Sequence, residues 1–137
     1  MTDVHSPSQR SFNMSRIKLK NTRPEILVRK LIYRLGFRYR LHCKDLPGKP
    51  DIVFRKQKKV IFIHGCFWHR HDCRFFKWPE TNEKFWRDKI DGNVHRDFRV
   101  YESLLHLGWR YLIVWECEIR ESTEAVLAFK IKEFLEL

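Results

Sequence analysis

The spacing of apolar residues changes several times along the chain, and each change marks an element. Residues 10–20 form a short basic stretch with Met14, Ile17 and Lys18 at helical spacing. Thr22-Arg23-Pro24-Glu25 then has the composition of a helix start, with Thr22 as cap, Pro24 in the first turn and Glu25 closing a capping box. The helix it opens is expected to bury Ile26, Leu27, Leu31 and Leu35 and to stop at Gly36, which tolerates a left-handed helix end. Phe37, Tyr39 and Leu41 alternate with Arg38, Arg40 and His42, the period of a half-buried strand. The loop Leu46-Pro47-Gly48-Lys49-Pro50 delivers Asp51 to the apolar segment Ile52-Val53-Phe54, and residues 55–58 turn the chain into Val60-Ile61-Phe62-Ile63, ending at His64-Gly65. This is a hairpin with an acid and an imidazole at one edge. Helices are expected over 81–92 and 93–107, the second presenting Val94, Phe98, Tyr101 and Leu105 and ending at Gly108. A buried strand over 111–115 and an amphipathic helix over 122–137 complete the chain. The order α, α, β, β, β, α, α, β, α predicts an α/β fold, a mixed sheet with helices on both faces.

The chain's 137 residues suit one domain with one core. Residues 1–11, rich in Ser and polar side chains, read as a flexible leader and 12–137 as the single folded domain. The 28 Lys and Arg against 17 Asp and Glu leave a charge of +11, which attracts phosphate-rich polymers and makes nucleic acid the first partner to consider. Aromatic residues make up 15%, and several stand among cations, as in Phe75-Phe76-Lys77-Trp78 and Lys84-Phe85-Trp86-Arg87. That pairing suits base stacking, although core packing competes for every ring. No apolar run reaches the ~20 residues of a membrane span and no secretion signal stands at the start, so a cytoplasmic protein with no membrane partner is expected. In that compartment the Cys residues read as metal ligands or free thiols rather than a disulfide framework.

Cys66, His71 and Cys73 lie close together, and Cys117 follows the last expected strand. Three thiolates and one imidazole make a complete tetrahedral zinc set, and a closed set with no open position is structural. Scattered buried thiols are the competing reading, and Cys43 is left over without a role. Phe67 and Trp68 follow Cys66, so the metal would hold two rigid rings in a loop, where they suit wedging between bases.

Phosphodiester hydrolysis asks for a hard cation and a group to activate water. Asp51 offers the oxygen ligand that magnesium prefers, with a main-chain carbonyl near Ile63 as a second. His64 and His69 stand near the same edge and could act as base, acid or donor. An isolated Asp at a strand start is more often a turn or cap residue; it is the combination on one hairpin that points to chemistry. Pro50-Asp51 followed by a second strand resembles the start of the motif of restriction-endonuclease-like nucleases. The usual acid-x-Lys is missing, because Phe62, Ile63 and His64 stand there. That departure, with Leu46-Pro47-Gly48-Lys49-Pro50-Asp51, Ile63-His64-Gly65-Cys66-Phe67-Trp68-His69, His71-Asp72-Cys73, Gly108-Trp109-Arg110 and Leu112-Ile113-Val114-Trp115-Glu116-Cys117, resembles the very-short-patch-repair (Vsr) endonucleases over residues from about Asn13 to Arg120.

The resemblance implies a restriction-endonuclease-like sheet and a nick 5′ of the thymine in a T·G mismatch left by 5-methylcytosine deamination. It implies that Asp51 and the Ile63 carbonyl bind Mg2+, that His69 is the general base, that His64 assists at the phosphate and that Glu25 joins the site. Zn2+ would be held by Cys66, His71, Cys73 and Cys117. Phe67, Trp68 and Trp86 would enter the duplex from the major groove, Met14 and Ile17 with their basic helix would reach the minor groove, and Lys89 and Asn93 would read the mismatched pair. The implied partners are mismatched double-stranded DNA and general mismatch-repair proteins as recruiters of a monomer acting on the nucleoid. Two alternatives compete: a non-catalytic zinc-stabilised DNA-binding module, which leaves Asp51, His64 and His69 without purpose, and a restriction-type nuclease on the same fold.

Overall fold

The computed structural model describes residues 22–137; the expected helix carrying Met14 and Ile17 and the leader lie outside the described residues. Helix α1 spans Arg23–Arg34, the short strand β1 Arg40–Leu41, β2 Ile52–Phe54 and β3 Lys59–His64. The long helix α2 runs Glu83–His106, followed by β4 (Arg110–Trp115), the short helix α3 (Glu116–Glu121) and α4 (Glu124–Glu136). The sheet order is β1-β2-β3-β4, antiparallel between β1 and β2 and between β2 and β3, and parallel between β3 and β4. The expected mixed sheet is thus present, and its two faces carry two separate apolar clusters. Ile52, Phe54 and Ile61 point toward Val28, Leu31 and Ile32 of α1 and Leu127, Ile131 and Leu135 of α4. Val53, Val60 and Phe62 point the other way, toward Leu104 of α2. The period-two alternation of a strand covered on both faces accounts for this division.

Helix α1 begins as expected, with the Thr22 hydroxyl accepting from the Glu25 N–H at 3.5 Å. It ends in a Schellman motif: the Gly36 N–H reaches the Tyr33 carbonyl and the Phe37 N–H the Ile32 carbonyl, with Gly36 at φ +96°. Helix α2 ends the same way around Gly108, at φ +84°, where the Trp109 N–H reaches the Leu104 carbonyl. Helix α4 is closed by a side chain instead, the buried Lys59, whose Nζ donates to the carbonyls of Phe134 and Leu137 at 2.7 and 2.8 Å.

Five expectations need correction. The inward face of α1 is Val28, Leu31 and Ile32 with Leu35 alongside, whereas Ile26 and Leu27 stay 37% and 45% exposed. The rotation that turns them outward turns Glu25 inward. Residues 81–92 and 93–107 form one helix rather than two. Gly92 costs a helix about 1 kcal/mol relative to Ala, yet the helix runs through it with Ile90 buried on one side and Leu104 on the other. On this helix Phe98 and Leu105 are exposed, with Leu104 buried in their place. Finally, only Val114 of β4 is buried, because β4 is an edge strand. Pairing of the strand expected over 37–41 is confined to Arg40–Leu41, with Leu41 exposed, while Phe37 and Tyr39 pack against the core before pairing begins. Among the described residues no helix is long and apolar enough to cross a membrane.

Candidate active site and metal centre

Two groups of titratable side chains meet at the β3 end that leads into the cysteine loop. The antiparallel register pairs Ile52 with Ile61, so Asp51 lies just beyond the paired segment and reaches across to β3. Its Oδ2 accepts the Ile63 N–H at 2.7 Å. Candidate ligand atoms of Glu25, His42 and Asp51 lie within 4.8 Å of one another. Burial raises the Asp51 carboxyl to about 6, with the Glu25 charge adding to the rise and the Ile63 N–H, Arg29 and His69 opposing it. Two carboxylates around one point are a hard-oxygen donor set that fits a divalent cation, and a buried carboxyl at about 6 gains much from one.

Glu25 enters by the inward turn of α1. Its carboxylate does not return to its own helix start, as a capping box requires, but accepts from Arg29 Nη2 at 2.9 Å. The same Nη2 stands 3.0 Å from His42 Nε2. A guanidinium only donates, so His42 Nε2 accepts and the ring proton sits on Nδ1. The 3.4 Å approach of that nitrogen to Glu25 is then one of two acceptors sharing a donor, not an ion pair.

The second group is His64, His69 and Asp97. His69 Nδ1 lies 2.6 Å from Asp97 Oδ2, a contact in which the ring N–H donates to the carboxylate and Nε2 keeps its lone pair. His64 stacks on His69 with centroids 3.7 Å apart, and its Nε2 meets the Tyr101 hydroxyl at 2.9 Å. Burial, reinforced by His69, pushes His64 down to about 3, so it is neutral near pH 7. Tyr101 is itself pushed upward by burial.

Beyond β3, ligand atoms of Cys66, His71, Cys73 and Cys117 gather within 4.8 Å. Tetrahedral zinc, with bonds of roughly 2.0–2.3 Å, sets its ligands roughly 3.3–3.8 Å apart. The Cys117 Sγ to His71 Nδ1 separation is 3.4 Å, and the Cys117 N–H donates to Cys66 Sγ at 3.4 Å. All four cysteines are free thiols, including Cys43, which stands apart from the cluster. Burial pushes the Cys66 thiol up to about 12, so a thiolate there needs a cation beside it. The set fits zinc. Helix α3, which the sequence reading missed, begins at Glu116 and presents Cys117. His71 also stacks on Trp115, with centroids 4.0 Å apart.

The loop between Cys66 and α2 carries a ring platform. Phe67 stands 5.5 Å from Trp86 and Trp68 6.0 Å from it, centroid to centroid. Trp68 is 41% exposed. Asn93 on α2 donates to the Trp68 carbonyl at 3.1 Å, which ties the platform to the helix, and Lys89 is exposed one turn earlier.

Asp51, Glu25, His64 and His69 are therefore brought together, while the four cysteine-loop ligands form a second, adjacent centre. Sequence reasoning missed Arg29, His42, Asp97 and Tyr101. Arg29 follows Glu25 at i+4, a spacing that signals pairing, and Asp97 follows Asn93 at i+4 once α2 is read as one helix. Nothing local marks His42.

A family model described as DNA mismatch endonuclease Vsr matches residues 2–75. The type II nicking enzyme V.XorIIP of Xanthomonas oryzae pv. oryzae is 48% identical over 121 residues, covering 88% of this chain and 89% of that protein. The type II nicking enzyme V.NmeAIP of Neisseria meningitidis is also 48% identical, over 88% of this chain and 86% of its own length. The DNA mismatch endonuclease Vsr of Escherichia coli is 43% identical over 98% of this chain and 88% of its own.

Proposed function

The chain belongs to the Vsr family of DNA mismatch endonucleases, and from that premise we propose that it nicks one DNA strand 5′ of the thymine in a T·G mismatch, opening a short repair patch. The observation that carries the reading is the meeting of Asp51 and Glu25 with the His69–Asp97 pair at one end of β3, beside a platform of rings of which Trp68 is exposed. A DNA-binding module alone needs none of those four side chains.

Asp51 and the Ile63 carbonyl would hold magnesium, with Glu25 beside them. When bound, the ion supplies Lewis-acid polarisation of the scissile phosphate. His69 Nε2, whose lone pair the Asp97 bond leaves available, takes the proton of the attacking water. Asp97 holds the tautomer and stabilises the imidazolium that forms. His64 remains neutral and assists at the phosphate without placing a second positive charge against the stacked His69 ring. Phe67, Trp68 and Trp86 wedge into the duplex, which is cheaper at a mismatch than at a paired step. Lys89 and Asn93 lie beside that platform and read the pair; Met14 and Ile17 reach the minor groove. Zinc at Cys66, His71, Cys73 and Cys117 holds the loop in place. The fold is of restriction-endonuclease-like type, and the enzyme acts as a monomer on the nucleoid, recruited by general mismatch-repair proteins.

The test is magnesium-dependent cleavage of end-labelled duplexes that differ only in T·G against T·A at one position. Nicking of the mismatched strand alone is expected. Equal cutting of the fully paired duplex would overturn mismatch specificity, and binding without cutting of either would overturn the enzyme.

A further inference from the structure

Beside Asp51 stands a cation that belongs to the protein. The Arg29 side chain is 12% exposed and Glu25 6%. One guanidinium nitrogen, Nη2, contacts both Glu25 Oε2 at 2.9 Å and His42 Nε2 at 3.0 Å. Glu25 and His42 are the two groups that complete the ligand cluster around Asp51. The guanidinium thus lies against the ligand set from which a divalent ion would also draw, and its charge acts through a buried, poorly screened environment. Two neighbouring carboxylates without it would present a doubly negative site.

We propose that Arg29 is a built-in counter-cation of the metal site: held between Glu25 and His42, it lowers the negative charge offered to a divalent ion, weakening the ion's hold, and it fixes Glu25 beside Asp51. The inference rests on the reading that Asp51 holds that ion. Arg29 is a positioning residue, and two properties separate in it. Its charge opposes the ion wherever the side chain points nearby, whereas its length alone brings a single donor nitrogen within reach of both His42 Nε2 and Glu25 Oε2. Lysine keeps the first and loses the second; glutamine loses the charge but keeps a donor.

The experiment measures Mn2+ binding by the full-length protein, with free Mn2+ followed by electron paramagnetic resonance. Manganese suits oxygen and imidazole ligands and competes poorly for a thiolate set. Arg29→Gln is expected to bind Mn2+ about tenfold more tightly than wild type. Arg29→Lys is expected to bind within about twofold of wild type yet to cleave a mismatched duplex about fivefold more slowly at saturating Mn2+. Binding by Arg29→Gln no tighter than wild type overturns the proposal, as does equal tightening by Arg29→Lys. Thermal unfolding of each variant establishes that it folds; if Arg29→Gln does not, the Lys variant decides, since tightening with the charge retained contradicts the idea. Asp51→Asn distinguishes the two levels: undiminished Mn2+ binding in that variant removes the metal reading itself, whatever Arg29 does.

Discussion

The cysteine–histidine cluster and the Glu25–His42–Asp51 cluster both gather candidate ligand atoms within 4.8 Å, but they are built from opposite materials. The first takes most of its ligands from a single loop and closes it with Cys117 from the start of α3. Its donors are soft and make up the four of a closed tetrahedral set with no open position. The second draws on α1, the loop after β1 and the start of β2, elements distant in sequence. Its donors are hard, and an arginine already offsets part of its charge. The first cluster is written locally in the sequence, whereas the second is assembled by the tertiary fold.

If that contrast is right, removing one ligand from each site should give different kinds of damage. Cys73→Ala is expected to have the largest effect, because a structural zinc site carries on the order of 10 kcal/mol of folding free energy in small domains. The loop from Cys66 to α2 should lose its amide hydrogen-exchange protection and zinc content should fall below one per chain, with cleavage lost as a consequence. A variant that keeps full protection while losing zinc would break the distinction. Asp51→Ala should instead leave hydrogen exchange near wild type and duplex binding intact while slowing cleavage by about a thousandfold or more. Unfolding of the same region in Asp51→Ala would mean that the second site is structural too.

Next in size is Asp97→Asn. An amide cannot fix the Nδ1–H tautomer of His69 as the carboxylate does, and cleavage should fall by about a hundredfold with mismatched-duplex affinity within about twofold of wild type. Unchanged cleavage would remove His69 as the base. Asp97 also shows where sequence reasoning stops. That Cys66, His71, Cys73 and Cys117 gather, and that Asp51 and His69 meet at one end of β3, was legible because Cys and His stand at telling local spacings and Asp51 opens the hairpin. The hairpin, both glycine helix ends and the α/β class were legible from apolar periodicity and turn residues. Asp97 is an ordinary acid on a long helix. Only the continuity of α2 through Gly92, with Ile90 and Leu104 buried on either side of it, turns it toward the loop. His42 is similar: its alternation with Tyr39 and Leu41 reads as the polar side of a strand, yet its backbone sits at φ +47° and its ring lies against Arg29. The face of α1 was misjudged because Ile26 and Leu27 are as apolar as Val28 and Ile32. The sheet, not the helix, decides which pair is covered.

The smallest effect concerns what the open site costs the fold when no ion is bound. The Asp51 carboxyl is raised from 3.8 to about 6 by burial, with Glu25 adding to it. A native-state value above the unfolded one means that the folded protein holds a proton the unfolded chain has released. The contribution to stability is therefore full below about pH 3.8 and is lost as pH rises through about 6. Above that range the ionised Asp51 opposes folding by about 3 kcal/mol. Asp51→Asn keeps an acceptor for the Ile63 N–H without the charge. Without divalent ions at pH 7.5 it should melt about 10 °C above wild type, and the difference should vanish near pH 4. His64 works in the opposite direction: its neutral native form loses stability as pH falls from 6.5 toward about 3, but it does so in both proteins and cancels in the comparison. Added Mg2+ should raise the melting temperature of wild type alone. If instead Asp51→Asn is the less stable at pH 7.5 without ions, the carboxylate is a structural anchor for β3, and the contrast between a closed structural site and an open, electrostatically costly one loses its second half.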